Sequence, residues 1–235
     1  MTLSVSHPRM ARIAGALYAL VIVVGIASVG RIEAFLGAPG DVASTVEAVA
    51  GNAVQLRWAL LGELLMYAMV VALALALYVV LRDVDRNLAL LAAAWRVTEA
   101  IVGATLATLA TALPLHLAAT STGALERDAL VPLLIEANPV GRDVVLLFMG
   151  LGATVFFVLF WRSRLVPRVL AGLGLLTYVA MIGITVASIL VPGLSEGTKL
   201  LVYAPGGIFE LVFGLWLLAR GVRGRGARPA AASAP

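Results

Sequence analysis

The sequence predicts an all-α, polytopic transmembrane helix bundle of six spans with both termini in the cytoplasm. Three observations carry that expectation. Hydrophobic residues make up 62% of the chain and charged residues 13%, where a soluble domain carries about 25% charged residues. The apolar residues come in six runs of roughly twenty or more, the length that crosses a hydrocarbon core of about 30 Å. Basic residues flank these runs unevenly. Eleven fall on the side shared by the N-terminus, the 82–87 turn, the 162–168 turn and the C-terminal tail, and five on the other. The positive-inside rule puts the first side in the cytoplasm. Six spans and two ends on one side agree with each other.

Composition also excludes several classes of chemistry. The chain has no cysteine, so disulfides, thiolate metal sites and cysteine nucleophiles are ruled out. Its two histidines, His7 and His116, lie near the terminus and near a span end, which argues against a zinc site of the usual nitrogen and sulfur type. The net charge of +4 would suggest nucleic acid in a soluble protein. Here the arginines sit beside apolar runs and set orientation, so no nucleic-acid partner is expected, and no cofactor or metal. Arginine outnumbers lysine sixteen to one. With so much Ala, Leu, Val and Gly, that usage reads as a GC-rich bacterial genome, and hence as a bacterial plasma (inner) membrane protein.

In chain order, residues 1–10 form a short cytoplasmic segment and the first span covers about 11–30, with Arg9 and Arg12 at its start. A signal peptide does not fit, because the apolar part exceeds about 7–15 residues and no A-x-A-like site follows. Gly15 and Ala19 are small enough for another helix to approach closely. The chain then leaves the membrane. Leu36 to Gly40 is turn material, and Asp41 is suited to cap a short helix near 41–50. Val42, Val46 and Val49 share one face of that helix, as in an amphipathic helix lying on the membrane surface. A cover over a cavity fits the same pattern.

The second span, about 57–81, carries Glu63 two turns inside its start, and the turn at 82–87 is short enough to demand an antiparallel hairpin. The third, about 88–116, contains Trp95-Arg96-Val97-Thr98-Glu99. A polar link from Ala118 to Gly141 follows, with Leu130 to Ile135 touching the surface and a turn expected at Asn138-Pro139. The fourth span is about 143–161. Pro167 suits the first turn of the fifth, about 168–191, which Pro192-Gly193 stops. The sixth covers about 199–220 and is interrupted by Ala204-Pro205-Gly206-Gly207. The tail, 221–235, is rich in Gly, Ala, Pro and Arg and is expected to be a disordered cytoplasmic segment.

Ionisable residues in membrane spans are costly and face the bundle interior. At 1.5 Å per residue, Glu99 and Glu210 fall near the midplane, with Arg96 one turn closer to the cytoplasm and Glu63 in the outer third. Arg96 and Glu99, three residues apart, share a helix face with Gly103 and Ala107. Glu210 shares one with Gly207 and Gly214. Three carboxylates at depth face one clear compensating charge, Arg96, although Arg57 could assist Glu63. A buried carboxylate without a partner takes up a proton, so at least one of Glu99 and Glu210 is expected to be protonated at neutral pH.

Other polar residues read as ordinary membrane-helix features. Thr98, Thr105, Thr108 and Thr111 form a stripe of the kind that bonds back to its own backbone. The tryptophans read as interfacial anchors, Phe156 to Trp161 as core or lipid-facing, and Gly172-x-Gly174 as helix packing. Pro205-Gly206-Gly207 could break a helix and offer backbone amides to a ligand, but a kink is the commoner outcome.

Several segments together resemble a bacterial family known as domain of unknown function 4386: Ala11-Arg12-Ile13-Ala14-Gly15, Pro39-Gly40-Asp41, Trp95-Arg96-Val97-Thr98-Glu99-Ala100, Arg162-Ser163 with Pro167-Arg168, and Glu210 followed by Leu215-Trp216-Leu217-Leu218 and Gly221. The similarity runs from about Arg9 to Gly221. It implies a membrane protein of six to seven helices, and no activity.

Three function classes remain. A binding or transport protein would use Arg96, Glu99, Glu210 and Glu63 to hold a small polar ligand, ion or proton. A structural protein or partner subunit, homo-oligomers included, would use the cluster only to pin helices, with Gly150-x-Gly152 as a seam for its partner in the bilayer. An intramembrane enzyme would use a carboxylate as acid or base, but has no nucleophile motif or histidine at depth and ranks last.

Overall fold

The computed structural model describes residues 6–36, 42–120, 124–136, 138–191 and 193–222. Among them every regular element is a helix. α1 spans Ser6–Leu36 and α2 Val42–Gly51. α3 begins one residue later, Ala53–Leu81, after a corner at Asn52 whose side chain donates back to the Ala48 carbonyl at 2.9 Å. α4 (Arg86–Ala107) starts after the tight charged turn, where the Asp85 carboxylate accepts from the Leu88 amide at 3.0 Å.

α4 then passes through a π-helical turn, Thr108–Ala112, into α5, Leu113–Ala119. Pro114 explains the change of register. Its ring would crowd the carbonyl four residues back, and the wider turn lets the Leu113 amide bond to Thr108 instead. The stretch expected to be a polar link is largely helical: α6 runs Ala124–Glu136 with Pro132 inside it. Asn138-Pro139, expected as a turn, already opens α7, Asn138–Ser163, in the first-turn position where proline costs no hydrogen bond.

Pro167 stands immediately before α8, Arg168–Leu190. α9 is Glu196–Arg220, begun by Ser195, whose hydroxyl accepts from the Thr198 amide. It continues unbroken through Pro205 and the following glycines, so the discontinuous-helix reading of that stretch is not what the chain adopts. Leu36, expected to open the turn material that runs to Gly40, is the last residue of α1, while residues 37–40, the Asp41 cap, Pro192 and the tail from 223 lie outside the described residues.

Six helices are long and apolar enough to cross a membrane: α1, α3, α4 with its extension, α7 joined to the end of α6, α8 and α9. They form a ring in chain order, α1 against α3, α3 against α4, α4 against α7, α7 against α8 and α8 against α9, closed by α9 against α1. The packing is inside-out relative to a soluble bundle. Ile26 (72% exposed), Leu176 (68%) and Leu201 (77%) point outward, while Arg96, Glu99, Thr185 and Glu210 are buried. Such an apolar exterior suits hydrocarbon, and the chain is a multi-pass membrane protein.

α2 and the start of α6 are not part of these six spans. Val46 and Val49 of α2 and Val131 of α6 are buried together with Ile32, Leu56, Ala59 and Leu115 in a small second core. Val46 and Val49 of α2 therefore pack on the protein itself, and α2 covers one end of the ring.

Candidate functional site

The main core contains an aromatic layer. Phe157 lies 4.8 Å from Phe213, 5.4 Å from Phe209 and 5.4 Å from Tyr178, ring centre to ring centre, and Tyr18 meets Phe213 edge-on at 5.8 Å. Phe156, Phe157 and Phe160 are thus core, while Trp161 is exposed and takes Arg168 over its ring.

Next to this layer, toward the middle of the bundle, lies the polar cluster. Arg96 Nη1 and Glu99 Oε2 of α4 are 2.8 Å apart and both side chains are buried. The Tyr178 hydroxyl of α8 donates to Glu210 Oε1 of α9 in a buried bond. Tyr18 of α1 reaches the Tyr178 hydroxyl. Arg96 is close enough to act on Glu210, Tyr18 and Tyr178 as well as on Glu99. Four helices of the ring therefore contribute to one buried group of five side chains.

Local sequence makes room for it. At Gly152 of α7 an added Cβ would stand 2.9 Å from both Arg96 Cγ and the Ala92 carbonyl. That glycine gives the arginine stem its passage. Gly150 faces Ile182 of α8, so the Gly150-x-Gly152 pair is spent inside the ring and is not a seam for a partner. Gly103, one turn beyond Glu99, takes the ring of Tyr67 directly against its backbone. Gly214, one turn beyond Glu210, packs on Gly15 and Tyr18 of α1, whereas Gly207 has open space beside it.

The expected candidates separate into two groups. Arg96, Glu99 and Glu210 come together. Glu63 stands apart on α3, and the charge that acts on it is Arg142 of α7, not Arg57. Tyr67 lies between the two groups, within electrostatic reach of both Glu63 and Glu99. Thr98, Thr105 and Thr108 donate to the backbone carbonyls four residues earlier.

The sequence reading missed Tyr18 and Tyr178. Their position in mid-run, away from the interfacial belts where tyrosine is enriched, is the signal that could have found them. It also missed two polar contacts further out on α8 and α9. Thr185 Oγ1 lies 3.0 Å from Tyr203 Oη. One turn beyond, Ser188 Oγ donates to Asp143 Oδ2 at 2.6 Å, and Lys199 Nζ stands 3.8 Å from the same oxygen.

Chemically, the cluster can hold charge and pass protons between hydroxyls and carboxylates. Among the described residues no group of three or more His, Asp or Glu side chains is placed to hold a metal ion.

Comparison with curated proteins and with solved structures gives no match. A family model does match, over residues 13–221, nearly the whole span in which the sequence resemblance was seen. The chain belongs to the family described as Domain of unknown function (DUF4386).

Proposed function

We propose that this is an integral protein of the bacterial plasma membrane, both termini cytoplasmic, whose central Arg96–Glu99–Glu210 cluster binds one small monovalent cation, in the simplest case a proton. The observation that carries the reading is the charge balance of the core. Two buried carboxylates, Glu99 and Glu210, share one guanidinium, Arg96. With both acids ionised the cluster holds a net negative charge in a medium where unpaired charge costs several kcal/mol. One bound cation cancels it. Tyr178 and Tyr18 supply hydroxyls that can hand a proton on without adding charge. The orientation rests on the eleven-to-five distribution of basic residues.

A second reading, a structural pin, is favoured by the short Arg96–Glu99 contact and its burial behind the aromatic layer. Thermal unfolding in detergent separates the two. Arg96→Ala leaves buried acids without their counter-charge and is expected to cost about 3–5 kcal/mol in either case. Glu99→Gln and Glu210→Gln mimic the neutral acid. Under cation binding Glu210→Gln keeps or gains stability, since residues kept for function are commonly not optimal for the fold. A pin predicts that Glu99→Gln is as damaging as Arg96→Ala.

A pH series on the parent supplies the sign. If the folded chain holds one proton more than the unfolded chain, stability falls as pH rises, and Glu210→Gln removes that slope. Should the parent and Glu210→Gln respond identically to pH, Na⁺ and K⁺, the cation-binding reading is wrong.

A further inference from the structure

The seam between α8 and α9 carries polar side-chain pairs at more than one level. Across it Thr185, Met181 and Tyr178 of α8 meet Tyr203, Gly206 and Glu210 of α9, and at its outer end Ser188 of α8 and Lys199 of α9 both meet Asp143 of α7. These positions recur every three or four residues, so each set forms one stripe along its helix. They meet in tiers. The outermost holds Ser188, Lys199 and Asp143 of α7; the next holds Thr185 with Tyr203; the innermost holds Tyr178 with Glu210, inside the central cluster.

Only one tier breaks the polar sequence. Between Thr185–Tyr203 and Tyr178–Glu210, the Met181 side chain lies against Gly206, its sulfur 3.0 Å from where a Cβ at that glycine would stand. Methionine is unbranched and readily changes rotamer, and Gly206 presents no side chain to hold it. The opposite direction is closed differently. Phe157, Phe160 and Phe213 fill the core between the cluster and the arginine-rich turns. Finally, α8 and α9 are the least intimately packed neighbours in the ring.

The geometry points to a one-sided polar pathway: the α8–α9 seam, from the Asp143–Lys199 end inward through Thr185 and Tyr203, conducts water or protons to the central cluster, and Met181 over Gly206 is its inner constriction. This inference rests on the cluster as a cation site and adds the route by which the cation arrives. Protons need no pore here. Ser188 and Thr185 stand about 4.5 Å apart along the axis of α8, a step that a single water can bridge. The step from Thr185 to Tyr178 is about 10.5 Å and passes Met181, so it conducts only when that side chain swings aside.

The absence of cysteine in the chain makes the test direct. Single cysteines are placed along the seam face of α8 by Ser188→Cys, Thr185→Cys and Met181→Cys. Val179→Cys and Val186→Cys on the outer face and Ala171→Cys in the core near the arginine-rich end serve as controls. Each variant is reconstituted in lipid nanodiscs, where both membrane faces are reachable, and exposed to a small charged methanethiosulfonate reagent. Only a thiol that ionises, and so meets water, reacts. The expected result is labelling in the order 188, 185, 181, with 188 and 185 faster than the controls by on the order of tenfold or more.

Positions 185 and 181 reacting no faster than 179, 186 and 171 would overturn the pathway. Fast labelling at 171 alone would place access on the opposite side and overturn it equally. Ser188→Cys and Thr185→Cys are near-isosteric, and Met181→Cys carries the same comparison if either fails to fold. The outcome is independent of the Glu210→Gln pH series. A labelled seam with a pH-insensitive cluster sinks the cation site, and an unlabelled seam with a pH-sensitive cluster sinks only the route.

Discussion

α9 makes two contacts of opposite character. Against α1 it closes backbone to backbone. Gly15 lies on the Gly214 carbonyl and the Leu218 amide so closely that a Cβ there would overlap main-chain atoms, and Gly214 returns the contact on Tyr18 and Gly15. Against α8 it meets side chains, in polar pairs separated by a methionine over a glycine. In a bilayer the hydrophobic effect does not drive helices together, so association rests on close packing and on interhelical hydrogen bonds. One face of α9 uses the first device and the next face uses the second. Main-chain atoms at a helix crossing have no alternative position, whereas hydroxyls and a thioether have several. The α1–α9 seam is therefore the fixed side of the helix and α8–α9 the side that can open.

The largest effect that sharpens this contrast is expected from Gly15→Ala. The single added methyl meets atoms of the α9 backbone, which cannot rotate away, so the two helices must separate. Overpacking of this kind costs about 1–3 kcal/mol and occasionally more, and the upper part of that range is expected here by thermal or denaturant unfolding in detergent. A stability within error of the parent would mean that the α1–α9 crossing is as tolerant as its neighbour.

Thr185→Val is expected to be milder. It keeps the shape of a fully buried side chain and deletes the bond to Tyr203. Interhelical hydrogen bonds in membranes average about 0.6 kcal/mol, and a loss of that size, read in the same assay, fits a seam held by replaceable contacts. A loss as large as that of Gly15→Ala would make the Thr185–Tyr203 pair a structural clamp.

The same distinction decides how much was legible in the sequence. Arg96, Glu99 and Glu210 stood out because a charge in an apolar run has few structural explanations, and six spans followed from run length alone. Tyr18 and Tyr178 stayed hidden because tyrosine is half apolar and passes as core or interfacial anchor. Thr185, Ser188, Tyr203 and Asp143 could not be assigned because their partners come from other helices, and pairing between helices is not written in either one's periodicity. Arg142 reached Glu63 ahead of the sequence-adjacent Arg57 for the same reason. Gly150 and Gly152 were visible as a small-residue pair, but which neighbour they received, Ile182 and Arg96 rather than a second protein, depends on the order of helices around the ring. The α6 stretch reads as a link in the sequence because Pro132 and a charged start obscure a helix in which, among the described side chains, Val131 alone is fully buried.

The smallest effect is expected from Gly206→Ala, and it is the most discriminating because it repeats the chemistry of Gly15→Ala on the second face of α9. The new methyl meets the Met181 sulfur at 3.0 Å and Thr177 Cγ2 at 3.5 Å, both ends of side chains. A small shift of the methionine accommodates it. Alanine in place of glycine also favours the helix by up to about 1 kcal/mol and restricts the unfolded chain, which offsets the crowding. The net change is expected to stay within about 0.5 kcal/mol of the parent. Labelling of Thr185→Cys should be unaffected in this background, since position 185 lies outside the constriction. If Gly206→Ala were instead as costly as Gly15→Ala, Met181 would be locked in place, the two seams would be equally rigid, and α9 would have no side that opens.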